Sequence, residues 1–196
     1  MNIVLNESDR SEILRYLGYR GGEITETVEE KLKASVALCN KIIDVKSTWR
    51  LFNIEKTEEG LLMQGSGCTL TGKSIAKHLE GCDRLVLLCV TLGLNFDREV
   101  ERVMVNDPPL AVCLNACGIQ AIEKAADTLQ LEINKELAEE TGVRFSPGYG
   151  DLPLELQRDF IRILNTERMV GVRLNTSNLM IPCKSVTAVC GLKEIK

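Results

Sequence analysis

The sequence is poor in aromatic residues and has no concentrated positive charge. Phe, Trp and Tyr make up 4% of its 196 residues, which disfavours the aromatic stacking platforms that bind single-stranded nucleic acid. The net charge at pH 7 is −4, and the lysines and arginines are spread along the chain. Nucleic-acid-binding domains usually carry a basic patch, so we expect no nucleic-acid partner.

Long apolar segments are also missing. The longest apolar run, residues 85–90, is far shorter than the roughly 20 residues that a membrane-spanning helix needs. The first four residues, MNIV, do not begin a secretion signal, which has a charged start followed by an apolar core. We therefore expect a cytoplasmic protein with no membrane partner.

Eight cysteines are present, but their spacing is not that of a metal site or a disulfide framework. No two of them form a Cys-x-x-Cys pair, and most lie among apolar neighbours, which is typical of buried reduced thiols. Cys113 and Cys117 would share a helix face and could supply half of a metal site. The single histidine, His78, is distant in the sequence, so we predict no metal site.

The hydrophobic pattern predicts helices and strands without a regular alternation. Helices are expected over residues 7–17, 25–44, 72–79, 96–105, 110–140 and 154–164, and strands over 48–54, 61–63, 83–92 and parts of 172–192. Such a mixture favours an α+β fold over a doubly wound sheet. We predict a single compact domain, residues 1–196, with a helical N-terminal part over about 1–45. A central twisted antiparallel sheet would be flanked by helices, one of them long (about 110–140).

Residues 67–74, GCTLTGKS, match the phosphate-loop pattern G-x-x-x-x-G-K-[ST]. In a true phosphate loop, Lys73 would reach the terminal phosphates and Ser74 would hold magnesium. The surrounding sequence differs from that of a true phosphate loop. The predicted strand before it is short and has polar ends, and no later apolar strand ends in an aspartate that could hold the metal. The other interpretation is a helix N-terminus with Thr71 as N-cap and Gly72 in the first turn. A small P-loop kinase or NTPase therefore remains an alternative function.

A nine-residue segment, VRFSPGYGD, combines residue types suited to binding a small molecule. Arg144 offers a planar fork of donors to a carboxylate, and Ser146 takes an extended backbone because it precedes Pro147. Gly148 lets the backbone approach a ligand closely, and Tyr149 adds an aromatic face with a polar tip. The segment predicts a loop that grips a ligand with a carboxylate and a flat ring.

The same segment resembles the adenosylmethionine-binding motif of the activation (reactivation) domain of cobalamin-dependent methionine synthase. That motif is an arginine, two further residues and then Pro-Gly-Tyr, matched here by Arg144 and residues 147–149. Two more blocks resemble the family in the right order, residues 118–127 upstream and residues 174–186 downstream. Residues 13–19 look like the shorter, free-standing relatives of that domain.

The resemblance implies a site for S-adenosylmethionine, with no catalytic residue. Glu123 falls at the position of a ligand-binding glutamate and would accept from the ribose hydroxyls or offset the positive charge. Arg144 would bind the carboxylate, backbone groups of Arg144, Ser146 and Gly148 would pair with the adenine edge, and Tyr149 would face the ligand or a partner's corrin. The predicted cofactor-binding residues are Glu123, Arg144, Ser146, Pro147, Gly148 and Tyr149.

The resemblance also implies a function in a methyltransferase system of methionine biosynthesis. The protein would take part in reductive reactivation of a cobalamin-dependent methionine synthase or a related corrinoid methyltransferase. A flavodoxin- or ferredoxin-type donor would reduce oxidised cobalamin, and S-adenosylmethionine would methylate it. The chain lacks the Asp-x-His-x-x-Gly sequence that supplies a cobalt ligand, so a partner protein would supply the cobalamin. A third hypothesis is a non-catalytic ligand-sensing or assembly module.

The sequence departs from the family pattern in three ways. Residues 150–153, GDLP, replace the usual Pro-Ala-Cys-Pro after the tyrosine. A later tyrosine found near the ligand has no counterpart, and neither does an early aspartate that contacts the ligand's amino group. We therefore expect weaker ligand binding, or a site completed by a partner.

Overall fold

The computed structural model describes residues 1–21 and 24–192. Within these residues the helices are α1 (Arg10–Tyr16), α2 (Glu26–Ile42), α3 (Lys73–His78), α4 (Leu94–Asn106), α5 (Pro108–Leu137), α6 (Gln157–Leu164) and α7 (Thr166–Val170). The strands are β1 (Lys46–Lys56), β2 (Leu61–Met63), β3 (Cys68–Leu70), β4 (Arg84–Thr91), β5 (Arg173–Leu174), β6 (Met180–Ile181) and β7 (Ser185–Leu192). Two short 3-10 turns cover Glu7–Asp9 and Leu154–Leu156.

Five strands form one antiparallel sheet in the order β3-β2-β1-β4-β7, and β5 pairs with β6 beside it. Strand β4, the fourth in this order, pairs with β1 on one side and with β7 on the other, so that Leu88 lies opposite both Trp49 and Ala188. Every residue from Leu85 to Thr91 is buried. A strand covered on both faces is apolar throughout instead of alternating, which explains the apolar run seen in the sequence.

Helical layers cover both faces of the sheet, and each encloses its own core. Even-numbered residues of β4, such as Leu88, pack with α1, α2, α4 and α5. Odd-numbered residues, such as Leu87, pack with α3, α6, α7 and the β2–β3 hairpin. The alternation follows from the period of two along a strand. The predicted α+β domain with a central antiparallel sheet and one long helix is therefore confirmed.

The long helix α5 is fixed by its ends and by one glycine. The Asp107 side chain accepts a hydrogen bond from the Leu110 amide at 3.1 Å, and prolines fill the first turn. The helix therefore begins two residues earlier than predicted, because proline at N1 lacks only an amide that has no helical partner. A Cβ on Gly118 would lie 2.3 Å from Cζ of Phe96, so this glycine lets α4 pack closely against α5.

Two short elements were not predicted. Strand β3 lies inside the GCTLTGKS segment, where the glycines and the motif match suggested a loop. Helix α7 follows Asn165, whose left-handed backbone (φ 50°) separates it from α6. Helices of one turn have too little periodicity to be recognised from their apolar residues.

Seven of the eight cysteines are buried, as expected, and Cys183 is exposed. Burial raises the pKa of Cys39, Cys89 and Cys190 to about 12, so these thiols stay protonated at neutral pH. Across residues 1–21 and 24–192 there is no disulfide, and no group of three or more His, Cys, Asp or Glu side chains is arranged to hold a metal ion. No helix in the described part of the chain is long and apolar enough to span a membrane.

Candidate functional site

A cleft of about 680 Å³ lies between the C-terminal half of α5 and the start of β7. Its volume is within the range of roughly 300–1,000 Å³ that small-molecule sites occupy. Gly148, one of the six predicted residues, does not line the cleft and instead shapes the turn behind it with a φ of 90°. The other five line it together: Glu123, Arg144, Ser146, Pro147 and Tyr149.

The segment that carries Arg144 reaches the cleft by pairing with the outer edge of β7. The Gly142 amide donates to the Gly191 carbonyl at 2.8 Å, and Phe145 and Val189 exchange two hydrogen bonds of 2.9 Å. Phe145 packs with the core on the α6 side of the sheet. Successive side chains of an extended chain point to opposite sides, so Arg144 is directed towards α5.

The guanidinium of Arg144 is held by three side chains of α5. Nη1 donates to Asp127 Oδ1 at 2.7 Å and to Gln130 Oε1 at 2.6 Å, while Nη2 donates to Glu123 Oε2 at 2.8 Å. Burial alone would lower the pKa of Arg144, but the hydrogen bond and charge of Asp127 and those of Glu123 raise it above its ordinary value. Arg144 is therefore a permanent cation at the cleft.

The partners of Arg144 belong to one polar stripe on α5. Glu123, Asp127 and Gln130 are spaced i, i+4 and i+7, which places them on one face of a helix. Asn134, one turn further, accepts hydrogen bonds from the amide (3.0 Å) and hydroxyl (2.8 Å) of Thr141. The sequence interpretation identified only Glu123. The spacing of the other polar residues relative to Glu123, which places them on the same helix face, was the signal that could have found them.

The charged side chains that line the cleft sum to −1. They are Glu123, Asp127 and Arg144, with side-chain exposures of 45%, 67% and 19% respectively. The cation is thus the most enclosed group, and the two carboxylates lie nearer to water. Such a site can pair with a ligand carboxylate through the guanidinium and attract a cationic centre through the two acids.

The floor of the cleft contains a polar pair that sequence reasoning missed. Gln157 and Thr187 are both buried, and Gln157 Nε2 donates to Thr187 Oγ1 at 2.6 Å. Thr187 is two residues before Val189, so its backbone N–H and C=O point to the same outer side of β7 as those of Val189. The backbone N–H and C=O of Thr187 have no hydrogen-bond partner in the described part of the chain. The two residues come from different elements, α6 and β7, and nothing local in the sequence links them.

The downstream block, residues 174–186, forms another wall of the cleft. Its turn between β5 and β6 is held by the Asn175 side chain, which accepts from the amides of Ser177 and Leu179 at 2.9 Å. Asn178 has a left-handed backbone (φ 61°), and its side chain accepts from Arg158 Nε at 2.6 Å. The turn therefore directs residues 178–180 into the lining of the cleft.

Exposed apolar side chains surround the opening. Val143, Tyr149, Leu154 and Leu179 all line the cleft and are all exposed. The Tyr149 ring contacts Phe145 edge to face, with 6.2 Å between centroids. Apolar groups clustered round a polar cavity are typical of a surface that is covered when a ligand or partner binds.

The phosphate-loop-like segment has a different arrangement from a nucleotide site. Strand β3 pairs antiparallel with β2, whereas a phosphate loop follows a parallel strand. The prediction of Thr71 as N-cap of α3 is wrong, because Gly72 holds that position without a side-chain cap. The first amides are bound instead by a carboxylate distant in sequence: Lys73 N and Ser74 N donate to Asp151 at 2.7 and 2.9 Å. The place that a phosphate would occupy is therefore filled by Asp151.

The fold is similar to that of a solved protein. The crystal structure of the MetH reactivation domain bound to AdoHcy superposes with a TM-score of 0.72, covering 96% of this chain and 74% of that chain. The two sequences are 16% identical, so the match establishes the fold alone. No protein-family model matches the sequence, and neither does any curated protein sequence.

Proposed function

We propose that this protein binds S-adenosylmethionine in the cleft at Arg144 and serves in the reductive reactivation of a corrinoid methyltransferase. The observation that carries the proposal is the convergence of three separate sequence segments at one cleft. Glu123, the Arg144–Tyr149 segment and the block of residues 174–186 were each singled out by likeness to one adenosylmethionine-binding family, and residues of all three line the cleft. The likeness of the fold to the MetH reactivation domain bound to AdoHcy supports the same ligand class.

Arg144 binds the carboxylate of the ligand. A guanidinium carries five N–H donors. Within the described residues, three of them donate hydrogen bonds to Glu123, Asp127 and Gln130. Two donors are left for a carboxylate that approaches from the cleft. The enclosure of the Arg144 side chain, 19% exposed, strengthens that pair, since less water competes for the guanidinium.

Glu123 and Asp127 favour a ligand with positive charge. S-Adenosylmethionine has a sulfonium, an ammonium and a carboxylate, so its net charge of about +1 complements the acidic cleft. Each exposed carboxylate contributes up to about 1 kcal/mol to such an attraction. Glu123 is also able to accept hydrogen bonds from the ribose hydroxyls, because its second carboxylate oxygen is not needed for Arg144.

Adenine pairs with the backbone beside Arg144. Phe145 uses its N–H and C=O on β7, so the corresponding groups of Arg144 and Ser146 point the other way. The Gly148 amide already donates to the Leu152 carbonyl at 2.9 Å, and the Ser146 carbonyl already accepts from the Tyr149 amide at 3.1 Å. Gly148 does not line the cleft, so the groups that remain there for the adenine edge are both backbone groups of Arg144 and the amide of Ser146.

The chain's own residues bind, orient and shield the ligand. Cobalamin on a partner protein, once reduced by a flavodoxin- or ferredoxin-type donor, would be the nucleophile that takes the sulfonium methyl group and leaves S-adenosylhomocysteine in the cleft. The apolar opening formed by Val143, Tyr149, Leu154 and Leu179 is the surface that such a partner covers. Covering it excludes water from the methyl group and fixes the approach of the two reactants.

The test is methyl transfer observed in the visible spectrum. The full chain is mixed with a cob(II)alamin-loaded methionine synthase that lacks a reactivation domain, together with a chemical reductant and S-adenosylmethionine. We expect the methylcobalamin spectrum to appear only when this protein is present. If the ligand binds, as measured by calorimetry, and methylcobalamin still does not form, a ligand-sensing function replaces the proposed one.

The nucleotide alternative is tested with the same calorimeter. Because Asp151 occupies the amides of Lys73 and Ser74, we expect no binding of Mg-ATP to the wild-type protein. Lys73→Ala should bind S-adenosylmethionine with unchanged affinity. Binding of ATP that is lost in Lys73→Ala, with no binding of S-adenosylmethionine, would overturn the proposed function.

A further inference from the structure

Helix α3 contacts the ligand-binding segment at both of the helix's ends. We call residues 143–152 the ligand loop. At the N-terminal end of α3, the Asp151 carboxylate accepts from the amides of Lys73 (2.7 Å) and Ser74 (2.9 Å). These two backbone hydrogen bonds lower the pKa of Asp151, so the carboxylate is charged at neutral pH. One end of the ligand loop is therefore bound to α3 by two charge-assisted hydrogen bonds.

The other end of α3 holds the beginning of the ligand loop. His78, the single histidine of the chain, has Nε2 at 2.8 Å from the Val143 carbonyl oxygen. A carbonyl only accepts, so Nε2 carries the proton and donates. The His78 ring also lies 4.9 Å from the Phe145 ring, measured between centroids. Val143 and Phe145 flank Arg144, so this contact fixes the backbone from which Arg144 projects.

Two glycines let the loop and the helix approach each other closely. A Cβ on Gly150 would lie 2.5 Å from Ser74 Oγ, and a Cβ on Gly72 would lie 2.6 Å from Asp151 Oδ1. Both glycines have a positive φ, 55° and 128°, which side chains disfavour. Gly72 of the phosphate-loop-like sequence and Gly150 of the ligand loop thus serve one contact.

Fixing Asp151 also fixes the turn that carries Tyr149. The Leu152 amide donates to the Tyr149 carbonyl at 3.0 Å, and the Gly148 amide donates to the Leu152 carbonyl at 2.9 Å. Leu152 is buried in the core on the α3 side of the sheet. The turn is therefore held by its own hydrogen bonds, by the packing of Leu152 in the core and by the hydrogen bonds of Asp151 to α3.

We propose that α3 is a brace for the ligand loop, and that Asp151 and His78 are positioning residues for S-adenosylmethionine binding. This inference rests on the proposed function of the cleft. It assigns a role to the GCTLTGKS segment, whose helix amides hold a carboxylate of the same chain instead of a nucleotide. It also assigns a role to the GDLP residues that depart from the family pattern. Neither side chain lines the cleft, so both act through the loop.

The test measures ligand affinity and loop order in the same variants of the full chain. Asp151→Asn and His78→Ala are titrated with S-adenosylmethionine by calorimetry, and hydrogen exchange is followed in residues 143–152. We expect Kd to rise about tenfold in each variant, which corresponds to about 1.4 kcal/mol. Exchange in the loop should accelerate in parallel, and added ligand should slow it less than in the wild type.

Asp107→Asn is the matched control. Asp107 also caps a helix, accepting from the Leu110 amide and pairing with Lys31, and it is not among the residues that line the cleft. This variant should lower the melting temperature and leave Kd within twofold of wild type. An equal loss of affinity in Asp107→Asn would show a general stability effect and overturn the brace.

The remaining outcomes each decide one proposal. Faster loop exchange with an unchanged Kd would overturn the positioning role. If Asp151→Asn does not fold, His78→Ala decides, because it leaves the Asp151 contact intact. If the wild-type protein binds no S-adenosylmethionine, the proposed function fails. The brace is then judged by hydrogen exchange alone, and unaltered loop exchange in both variants would contradict it.

Discussion

Replacing Arg144 with alanine should weaken S-adenosylmethionine binding more than any other single change at the cleft. The side chain is 19% exposed and forms contacts of 2.6–2.8 Å with Glu123, Asp127 and Gln130. A hydrogen bond to a charged group contributes about 1.5–3 kcal/mol. A bidentate pair with the ligand carboxylate would contribute more than one such bond, but Glu123 and Asp127 compete for the same guanidinium. We therefore expect Arg144→Ala to lower the binding free energy by about 2–3 kcal/mol. This loss is about a 30- to 140-fold increase in Kd.

The fold should tolerate this change. Glu123 and Asp127 are 45% and 67% exposed, so water can solvate them when the cation is removed. Ion pairs whose carboxylates face water contribute about 0.2–1 kcal/mol each, so we expect the loss of both pairs to lower the free energy of unfolding by about 2 kcal/mol at most. Circular dichroism and urea denaturation check this before calorimetry. Arg144→Lys, which keeps the charge and loses the fork, should fall between alanine and wild type.

Arg84→Ala supplies a matched control. Arg84 forms a 2.6 Å pair with Glu139 at comparable burial, and it does not line the cleft. Its replacement should leave Kd within about twofold of wild type. The reasoning is refuted if Arg144→Ala changes Kd by less than about threefold, or if Arg84→Ala weakens binding to the same degree as Arg144→Ala.

Three further predictions concern stability, each measured by urea denaturation. Gly118→Ala drives a Cβ to 2.3 Å from the Phe96 ring and should destabilise by about 1–2 kcal/mol, overpacking outweighing the gain in helix propensity; a stability increase would contradict this. Burial raises the pKa of Asp9, but its hydrogen bonds, chiefly from Lys124 at 2.7 Å, lower it below its ordinary 3.8. Asp9 stabilisation is therefore present above pH 3.8 and lost below, so Asp9→Asn should cost about 2 kcal/mol at pH 7; a deficit that does not shrink below pH 3.8 would refute it. Gln157→Ala should cost about 1–3 kcal/mol by leaving a buried hydroxyl unpaired, and adding Thr187→Val should recover part of that loss; simple additivity would count against the pair.

The fold was largely predictable because its main elements carry strong local signals. The apolar run in β4 and the buried stripe of α5 each decide their own conformation. The start of α5 was misplaced because proline was taken as a break, although it is well tolerated in a first helical turn. β3 was missed because three residues in a glycine-rich segment become a strand only through pairing with β2.

The candidate site could be inferred from the sequence only in part. Residue chemistry singled out the segment over residues 143–151, and resemblance to a family added Glu123, whose spacing with Asp127 and Gln130 along α5 was a further signal. Asp127 and Gln130 acquire a role only through Arg144, which approaches α5 because the preceding residues pair with β7. Asp151 is separated from Lys73 by 78 positions and from Ser74 by 77 positions in the sequence. A pattern within a short stretch of sequence could not have identified this contact.

The most direct test of the central claim is the map of hydrogen exchange with and without saturating S-adenosylmethionine. The account predicts slower exchange in three places that line the cleft: residues 123–130 of α5, residues 143–149, and residues 185–187 of β7. Protection confined to residues 67–74, or no protection at any of these three places, would contradict the assignment of the cleft as the ligand site.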